Sequence, residues 1–393
     1  MTILQINCVY KTGSTGKIVA DLHSYYSKKG HKSFVCYGRG ERIKEKNIFK
    51  VSSEFEAKIH SVLSKLFGVD FGFSNFSTSK TIRLIKTIKP NVVHLHCLNG
   101  HFINVYKLIS FLKKNKIKTV LTLHAELMHT AGCEHAFDCL KWTETCYKCQ
   151  KIKGLISSLF RDDAKHCFNA MKRAMDGFDE LVVVGVSEWL TKRANRSPIF
   201  ANMSFKTINN GLDTSIFKYT PSCKCKDNQF KGNIVHVTPD FNHPIKGGKY
   251  VLELAKAMPD YRFLIVGYNG SEELPKNVFA IKKTNNQHDL ANYYSSADVT
   301  ILTSSRETFS MVVAESLCCG TPVVGFEAGG PESISIPKYS FFVKQGDIVS
   351  LKKAILSCLN SSFNKDEISI CAKDKYSREE MCEKYLDLYQ SIL

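Results

Sequence analysis

Two glutamates eight residues apart, Glu307 and Glu315, sit in the stretch of this 393-residue chain whose residue types carry the most chemistry: TSSRETFSMVVAESLCCGTPVVGFEAGG, residues 303–330. The apolar run just before it, Val299–Leu302, reads as a buried strand. Phe309, Val312, Val313, Ser316 and Leu317 then recur at helical spacing. Gly320 and Pro322 end that helix, and residues 323–326 read as the next strand, which completes one βαβ unit. If Glu307 lies close to helical geometry, the two carboxylates are ~12 Å apart along the axis. They can then accept hydroxyl hydrogens at both ends of a ligand of that length. A nucleotide-sugar is such a ligand, with a diphosphate between two hydroxyl-bearing ends. The amides of Thr308, Phe309 and Ser310 at the helix start suit the diphosphate, and Arg306 adds a cation beside them.

Other groups with the right chemistry lie elsewhere. KTGSTGKI follows the first strand and puts Gly13 and Gly16 in a turn that leads into a helix, where the backbone can approach a phosphate closely. Its spacing is neither the dinucleotide fingerprint nor a P-loop. Lys246 precedes Gly247 and a helix, a place where a point charge suits a diphosphate. Two apolar strands run into histidine, with His94 and His96 on one and His124 closing the other; in open α/β sheets such strand ends collect functional groups. Residues 129–150 carry Cys133, Cys139, Cys146 and Cys149, spaced Cys-x5-Cys-x6-Cys-x2-Cys, with His129 and His135 among them. The segment has little hydrophobic periodicity, so a core is not expected to hold it. A structural zinc on the four thiolates is one reading; reduced unligated thiols and a redox pair are the others.

ETFSMVVAE followed by SLCCGTPVVGFEAGGPESI resembles the donor-site signature of retaining glycosyltransferases of family 4, Glu-x-Phe-Gly-x4-Glu, with Ser310 in place of the usual glycine. The resemblance implies that Glu307 binds the hydroxyls of the donor sugar and Glu315 the ribose. Lys246-Gly247 resembles the family's Lys-Gly pair, in which the lysine holds the donor diphosphate. The family's arginine a few residues earlier is missing from VTPDFNHP, which leaves Lys246, backbone amides or Arg306 for that task. The turn at Gly13 and Gly16 resembles the family's N-terminal glycine loop, and His124 its histidine near the donor sugar. Asn210, Gly211, Leu212, Asp213 and Phe217 match a further signature that typically closes the first domain. The Cys-rich segment resembles an insertion in a subset of bacterial polysaccharide glycosyltransferases. The implied reaction moves a sugar, with retention, from a UDP- or GDP-sugar to a hydroxyl of a lipid-linked glycan in O-antigen, capsule or exopolysaccharide synthesis. It needs no catalytic cofactor.

Strands followed by helices, twice over, predict an α/β chain of two doubly wound Rossmann-like domains facing an interdomain cleft, the GT-B fold of the resemblance. The expected divisions are an acceptor-side domain over 1–218, a linker over 219–232, a donor-binding domain over 233–370, and a C-terminal helix over 371–393 that crosses back to the first domain. Hydrophobic content of 44% and charged content of 23% fit a globular chain. The net charge of +17 predicts attraction to anionic partners, an anionic membrane surface among them. The opening residues MTILQINCVY read as a strand and not a secretory signal, and fifteen cysteines without such a signal fit a reducing compartment. The expected location is the cytoplasm, with peripheral contact on the inner face of the plasma membrane. Residues 55–67 form an amphipathic pattern that reads either as a helix packed on the sheet or as a surface helix touching membrane. Two rivals stand beside sugar transfer. One is a sugar-nucleotide epimerase on the same fold. The other is a zinc-containing nucleic-acid-binding protein, which the dispersed basic residues disfavour.

Overall fold

The structure is a computed structural model and describes residues 1–69, 71–149, 162–221 and 229–393. It has two compact units, residues 1–208 with 382–393, and residues 209–381. In the first, seven parallel strands form one sheet: β1 (Thr2–Asn7), β2 (Lys32–Tyr37), β3 (Ile48–Lys50), β4 (Val92–Leu95), β5 (Thr119–Leu123), β6 (Leu181–Gly185) and β7 (Ser204–Thr207), in the order β3-β2-β1-β4-β5-β6-β7. The second has β8 (Asn233–Val237), β9 (Arg262–Val266), β10 (Val278–Ile281), β11 (Val299–Leu302), β12 (Val323–Phe326) and β13 (Ser340–Val343), in the order β10-β9-β8-β11-β12-β13. The central strands are short runs of β-branched and other apolar residues buried along their length, as strands covered by helices on both faces must be. The expected doubly wound α/β architecture is therefore present in each unit.

In each sheet the strand order reverses at one place, between β1 and β4 and between β8 and β11. Helices leave opposite faces there, and the crevice beyond the carboxyl ends of the strands is where such sheets bind ligands. The segments that follow β1, β4, β8 and β11 carry Gly13 and Gly16, His96, Lys246 and Glu307 respectively.

The sequence reading misses β3, β7, β10 and β13. These are the edge strands of the two sheets, three or four residues long and partly exposed, so no buried apolar run marks them. Half of the expected linker over 219–232, residues 222–228, lies outside the described residues. The sequence at 155–176 reads as a basic amphipathic helix or pair, and its beginning, 155–161, lies outside them too. The described part of that stretch is a helix, Ala164–Met175, which buries Cys167, Phe168, Met171 and Met175. The closing stretch is two helices, Lys365–Tyr376 and Arg378–Ser391. Leu212 pairs with Ser377 between them, and Arg378 Nη1 reaches Asp213 Oδ2 at 3.1 Å. A Cβ on Gly211 would lie 2.7 Å from the Arg378 Cα. The Asn-Gly-Leu-Asp segment thus braces the joint of the last two helices.

The helix Glu54–Phe67 is capped by the Ser53 side chain, which accepts from the Glu56 amide. It buries Ala57 and Ser64 and leaves Phe55, Ile59, Val62 and Leu66 exposed. Packing on the sheet through the large apolar face is not what the fold does.

A chain of polar side chains runs through the first unit. His94 Nδ1 meets the Tyr389 hydroxyl at 2.5 Å, and its Nε2 meets Thr122 Oγ1 at 2.7 Å. Thr122 Oγ1 also meets the Tyr385 hydroxyl at 2.8 Å, so two tyrosines of the last helix are bonded to the ends of β4 and β5. The His96 ring lies on His94 with centroids 3.8 Å apart, and His96 Nδ1 meets His124 Nε2 at 3.2 Å. Burial lowers the pKa of all three: well below the ordinary histidine range for His94 and His96, and to about 4 for His124. The unfolded chain, with histidines near ~6.5, therefore binds protons that the folded one refuses. Stability is full above about pH 6.5 and falls as pH drops toward 4, by about 1.4 kcal/mol per pH unit for each proton taken up. Thermal unfolding from pH 8 to pH 4 is expected to give a flat midpoint down to about 6.5 and a steep fall below it. His94→Gln is expected to make that fall shallower.

Candidate functional site

In the second unit the site is built where the loops after β8 and β11 lock together. Thr303 Oγ1 donates to the Lys246 carbonyl at 2.9 Å, and the Ser305 amide donates to the Ile245 carbonyl at 2.8 Å. Gly247 has φ +68°, and a Cβ there would lie 2.2 Å from the Thr303 carbonyl oxygen, so the approach requires glycine. This fixes the one-turn helix Pro244–Lys246 against the end of β11. Lys246 Nζ then reaches Glu307 Oε1 at 2.7 Å, with the two side chains 25% and 18% exposed.

Glu307 is not held by helical geometry, contrary to the spacing argument. It makes a parallel bridge with Gly329: its amide donates to the Ala328 carbonyl at 3.0 Å, and its carbonyl accepts from Gly330 N at 2.9 Å. The Glu332 carboxylate takes the Ala328 and Gly329 amides at 2.6 and 2.9 Å and so stiffens the other side of the bridge. A Cβ on Gly330 would lie 2.3 Å from the Thr308 carbonyl oxygen. The helix begins only at Met311 and runs to Cys318. Glu315 lies on it, and its Oε2 accepts from the Tyr294 hydroxyl at 3.1 Å. Tyr294 is buried, and burial, reinforced by the charge of Glu315, pushes its pKa far above the ordinary range, so it stays a donor.

Arg306 just before Glu307 and Thr308 just after it are half-buried, and Phe309 is a buried anchor. Ser310 caps the helix with φ +77° and ψ +93°, a conformation that glycine adopts without strain and other residues resist. Its hydroxyl oxygen is buried and finds no hydrogen-bond partner among the described residues.

In the first unit, Lys11 and Gly13 both have positive φ, and the Lys11 amide donates to the Gly16 carbonyl at 2.9 Å. A Cβ on Gly16 would sit 3.2 Å from Lys11 N and from Val9 Cγ2, so the loop lies tight over the start of the helix Gly13–Lys28. His124 follows β5, half-buried and neutral at physiological pH, with His96 behind it.

The Cys-rich segment is held differently from expectation. Trp142 is buried, donates from Nε1 to the Cys139 carbonyl at 2.7 Å, and lies under the Arg193 guanidinium, 5.0 Å from the ring centroid. Arg193 Nε also reaches the buried Glu126 carboxylate at 2.8 Å, and His129 packs edge-on against Trp142. One large aromatic therefore supplies the small core that periodicity fails to show. Cys133, Cys139, Cys146 and Cys149 are each half-buried. Burial pushes the Cys133 and Cys146 thiols up to about 12, and neighbouring cysteines add to the shift. Among the described residues no group of three or more His, Cys, Asp or Glu is arranged to hold a metal ion.

Residues 231–375, the region holding Lys246, Glu307 and Glu315, match the family model described as "Glycosyl transferases group 1". The chain is a glycosyltransferase with the GT-B fold. This glycosyltransferase is 23% identical to WcaC of Escherichia coli K12, named as a colanic acid biosynthesis glycosyl transferase, with 100% of both chains covered. Among solved structures it is similar to sucrose-phosphate synthase from Thermosynechococcus elongatus, with TM-score 0.69, 14% identity and 100% and 99% of the two chains covered. It is also similar to Anabaena HepE in complex with UDP-glucose, with TM-score 0.66, 15% identity and 100% of both chains covered.

The sequence reading of this glycosyltransferase missed Tyr294 and Glu332, which help position the two carboxylates, and gave Gly330 no such role. The Gly-Gly-Pro-Glu run was the available signal for the last two. Ser310→Gly is expected to remove both the strained backbone and the unpartnered hydroxyl, and to stabilise the protein by about 1 kcal/mol after the entropic cost of glycine. Denaturant midpoints read this, and an unchanged or lower midpoint contradicts it.

Proposed function

We propose that the chain is a retaining family 4 glycosyltransferase that moves a sugar from a UDP- or GDP-sugar to a hydroxyl of a lipid-linked glycan during surface polysaccharide synthesis. The observation that carries this reading is the Lys246–Glu307 pair at 2.7 Å, a cation and a carboxylate held together by backbone at the strand-order reversal of the second sheet. A donor brings a charge and a set of hydroxyls that match the two halves of this pair. Its diphosphate takes Lys246, and the carboxylate so released accepts hydrogen bonds from the sugar hydroxyls. The amides of Thr308 to Ser310 and the start of the helix Met311–Cys318 add positive potential, and Arg306 lies beside Glu307 in sequence. As the anomeric bond breaks, negative charge grows on the leaving diphosphate, and these groups stabilise it without reorganising. Glu315, oriented by Tyr294, takes the ribose hydroxyls.

His124, with its pKa near 4, works as a neutral group. It orients the donor sugar or the acceptor by hydrogen bonding and does not supply a cation. The glycine turn at Gly13 and Gly16 offers backbone amides of the kind that bind phosphate. UDP-glucose in the HepE complex supports a nucleotide-sugar donor, and the name of WcaC supports polysaccharide synthesis. Transfer is favoured over epimerisation because the two carboxylates and the lysine match the sugar, ribose and diphosphate of a donor.

A panel of nucleotide-sugars assayed for slow hydrolysis and nucleotide release is expected to find one accepted donor. Glu307→Ala is expected to lower turnover with it by about a hundredfold to a thousandfold while the unfolding transition stays intact. An active Glu307→Ala enzyme contradicts the reading, and a product with inverted anomeric configuration contradicts retention.

A structural zinc on Cys133, Cys139, Cys146 and Cys149 belongs to the same proposal. The four thiols would have to draw together and lose their protons to ligate it. Metal analysis of protein purified without chelator is expected to find about one zinc per chain. No zinc would leave Trp142 and Arg193 as what holds the segment.

A further inference from the structure

The helix Glu54–Phe67 carries its apolar face outward. At about 100° per residue, Phe55, Ile59, Val62 and Leu66 fall within a stripe roughly 60° wide, opposite the buried Ala57 and Ser64. Phe55 is 75% exposed and Val62 55%. Phe76, at the start of the helix Asn75–Ile88, is 68% exposed, and its helix is tied to the stripe helix: Glu56 accepts from the Ser77 amide, and Ser74 Oγ meets His60 Nδ1 at 2.6 Å. Of the fourteen large apolar side chains exposed among the described residues, six lie between Phe55 and Phe76. This is a patch and not scatter.

The patch continues into a basic cavity. Lys58 and Lys65 run along one flank of the stripe. Lys80 Nζ lies over the Phe76 ring at 4.5 Å and also lines a cavity of about 600 Å³ with Arg42, Lys44, Lys50, Arg83 and Phe49. The acidic groups nearby are already engaged. Glu45 pairs with Lys11 at 2.5 Å, while Glu54 takes Arg39 and Lys50. Arg42, Lys44, Lys80 and Arg83 have no acidic partner among the described residues.

We propose that this surface docks the enzyme on an anionic phospholipid bilayer, with Phe55, Ile59, Val62, Leu66 and Phe76 entering the interface and the cavity cations holding lipid phosphates. Charge decides between occupants. A second copy meeting this face across a two-fold axis would set its lysines and arginines against themselves. Anionic headgroups complement an apolar stripe edged with cations. The proposal stands apart from the transfer chemistry, because its test reads binding and not turnover.

The test is flotation of the full chain with vesicles of phosphatidylcholine alone or mixed with phosphatidylglycerol, at roughly physiological salt. The wild type is expected to float with the mixed vesicles and not with the neutral ones. Ile59→Glu with Val62→Glu, and separately Lys80→Glu with Arg83→Glu, are each expected to lower partition at least about tenfold. These positions are exposed, so thermal midpoints and donor hydrolysis are expected to match the wild type. Three results overturn the proposal. One is failure of the wild type to float, or variants that float equally well. Another is a wild-type dimer that the apolar variant turns into a monomer, which would make the stripe a contact between copies. The third is pyrophosphate binding in the cavity without flotation, which would place a soluble anion there.

Discussion

A lysine and a glutamate from loops 61 residues apart in sequence meet at 2.7 Å, and the rest of the second unit is arranged to make that meeting unavoidable. Neither side chain is positioned by its own element alone. The Lys246 turn is stitched to the end of β11 by the Thr303 and Ser305 hydrogen bonds, with Gly247 allowing contact that any Cβ would block. Glu307 is stitched to the loop after β12 by its bridge to Gly329, with Gly330 allowing the second close contact. A partly buried ion pair is a modest contributor to stability, because desolvation offsets much of its attraction. Under the proposed reading its use is that both partners are already partly desolvated, oriented and matched in charge to a ligand that can displace one from the other.

The sheets explain why these loops converge. β8 and β11 are neighbours although Lys246 and Glu307, in the segments that follow them, are 61 residues apart, and the chain leaves them toward opposite faces. The first unit repeats the device at β1 and β4. There the glycine turn and the histidine chain occupy the matching places, and the tyrosines of the last helix close the chain from behind.

What the sequence showed and what it hid divide along range. Buried central strands are continuous apolar runs, so β11 and β12 could be read directly, and so could the order of Glu307, helix and Glu315 between them. The extended geometry of Glu307 could not, because its cause lies 22 residues on, at Gly329. Ser310 was visible as a departure from the usual glycine, but only the backbone shows that the departure carries strain. The amphipathic pattern of residues 55–67 marks two faces without saying which turns inward. Ala57 and Ser64, small enough for close packing, decided it. In the Cys-rich segment a single tryptophan gave the anchoring that periodicity cannot register.

The central claim is that a diphosphate must take Lys246 away from Glu307. Calorimetric titration of UDP and GDP against the wild type and Glu307→Gln tests it without depending on turnover. With the carboxylate neutralised, Lys246 no longer has to be released. The bare nucleotide that the enzyme accepts is therefore predicted to bind Glu307→Gln more tightly, by roughly threefold to tenfold, an effect on the scale of one partly exposed ion pair. Equal or weaker binding by Glu307→Gln would contradict the account.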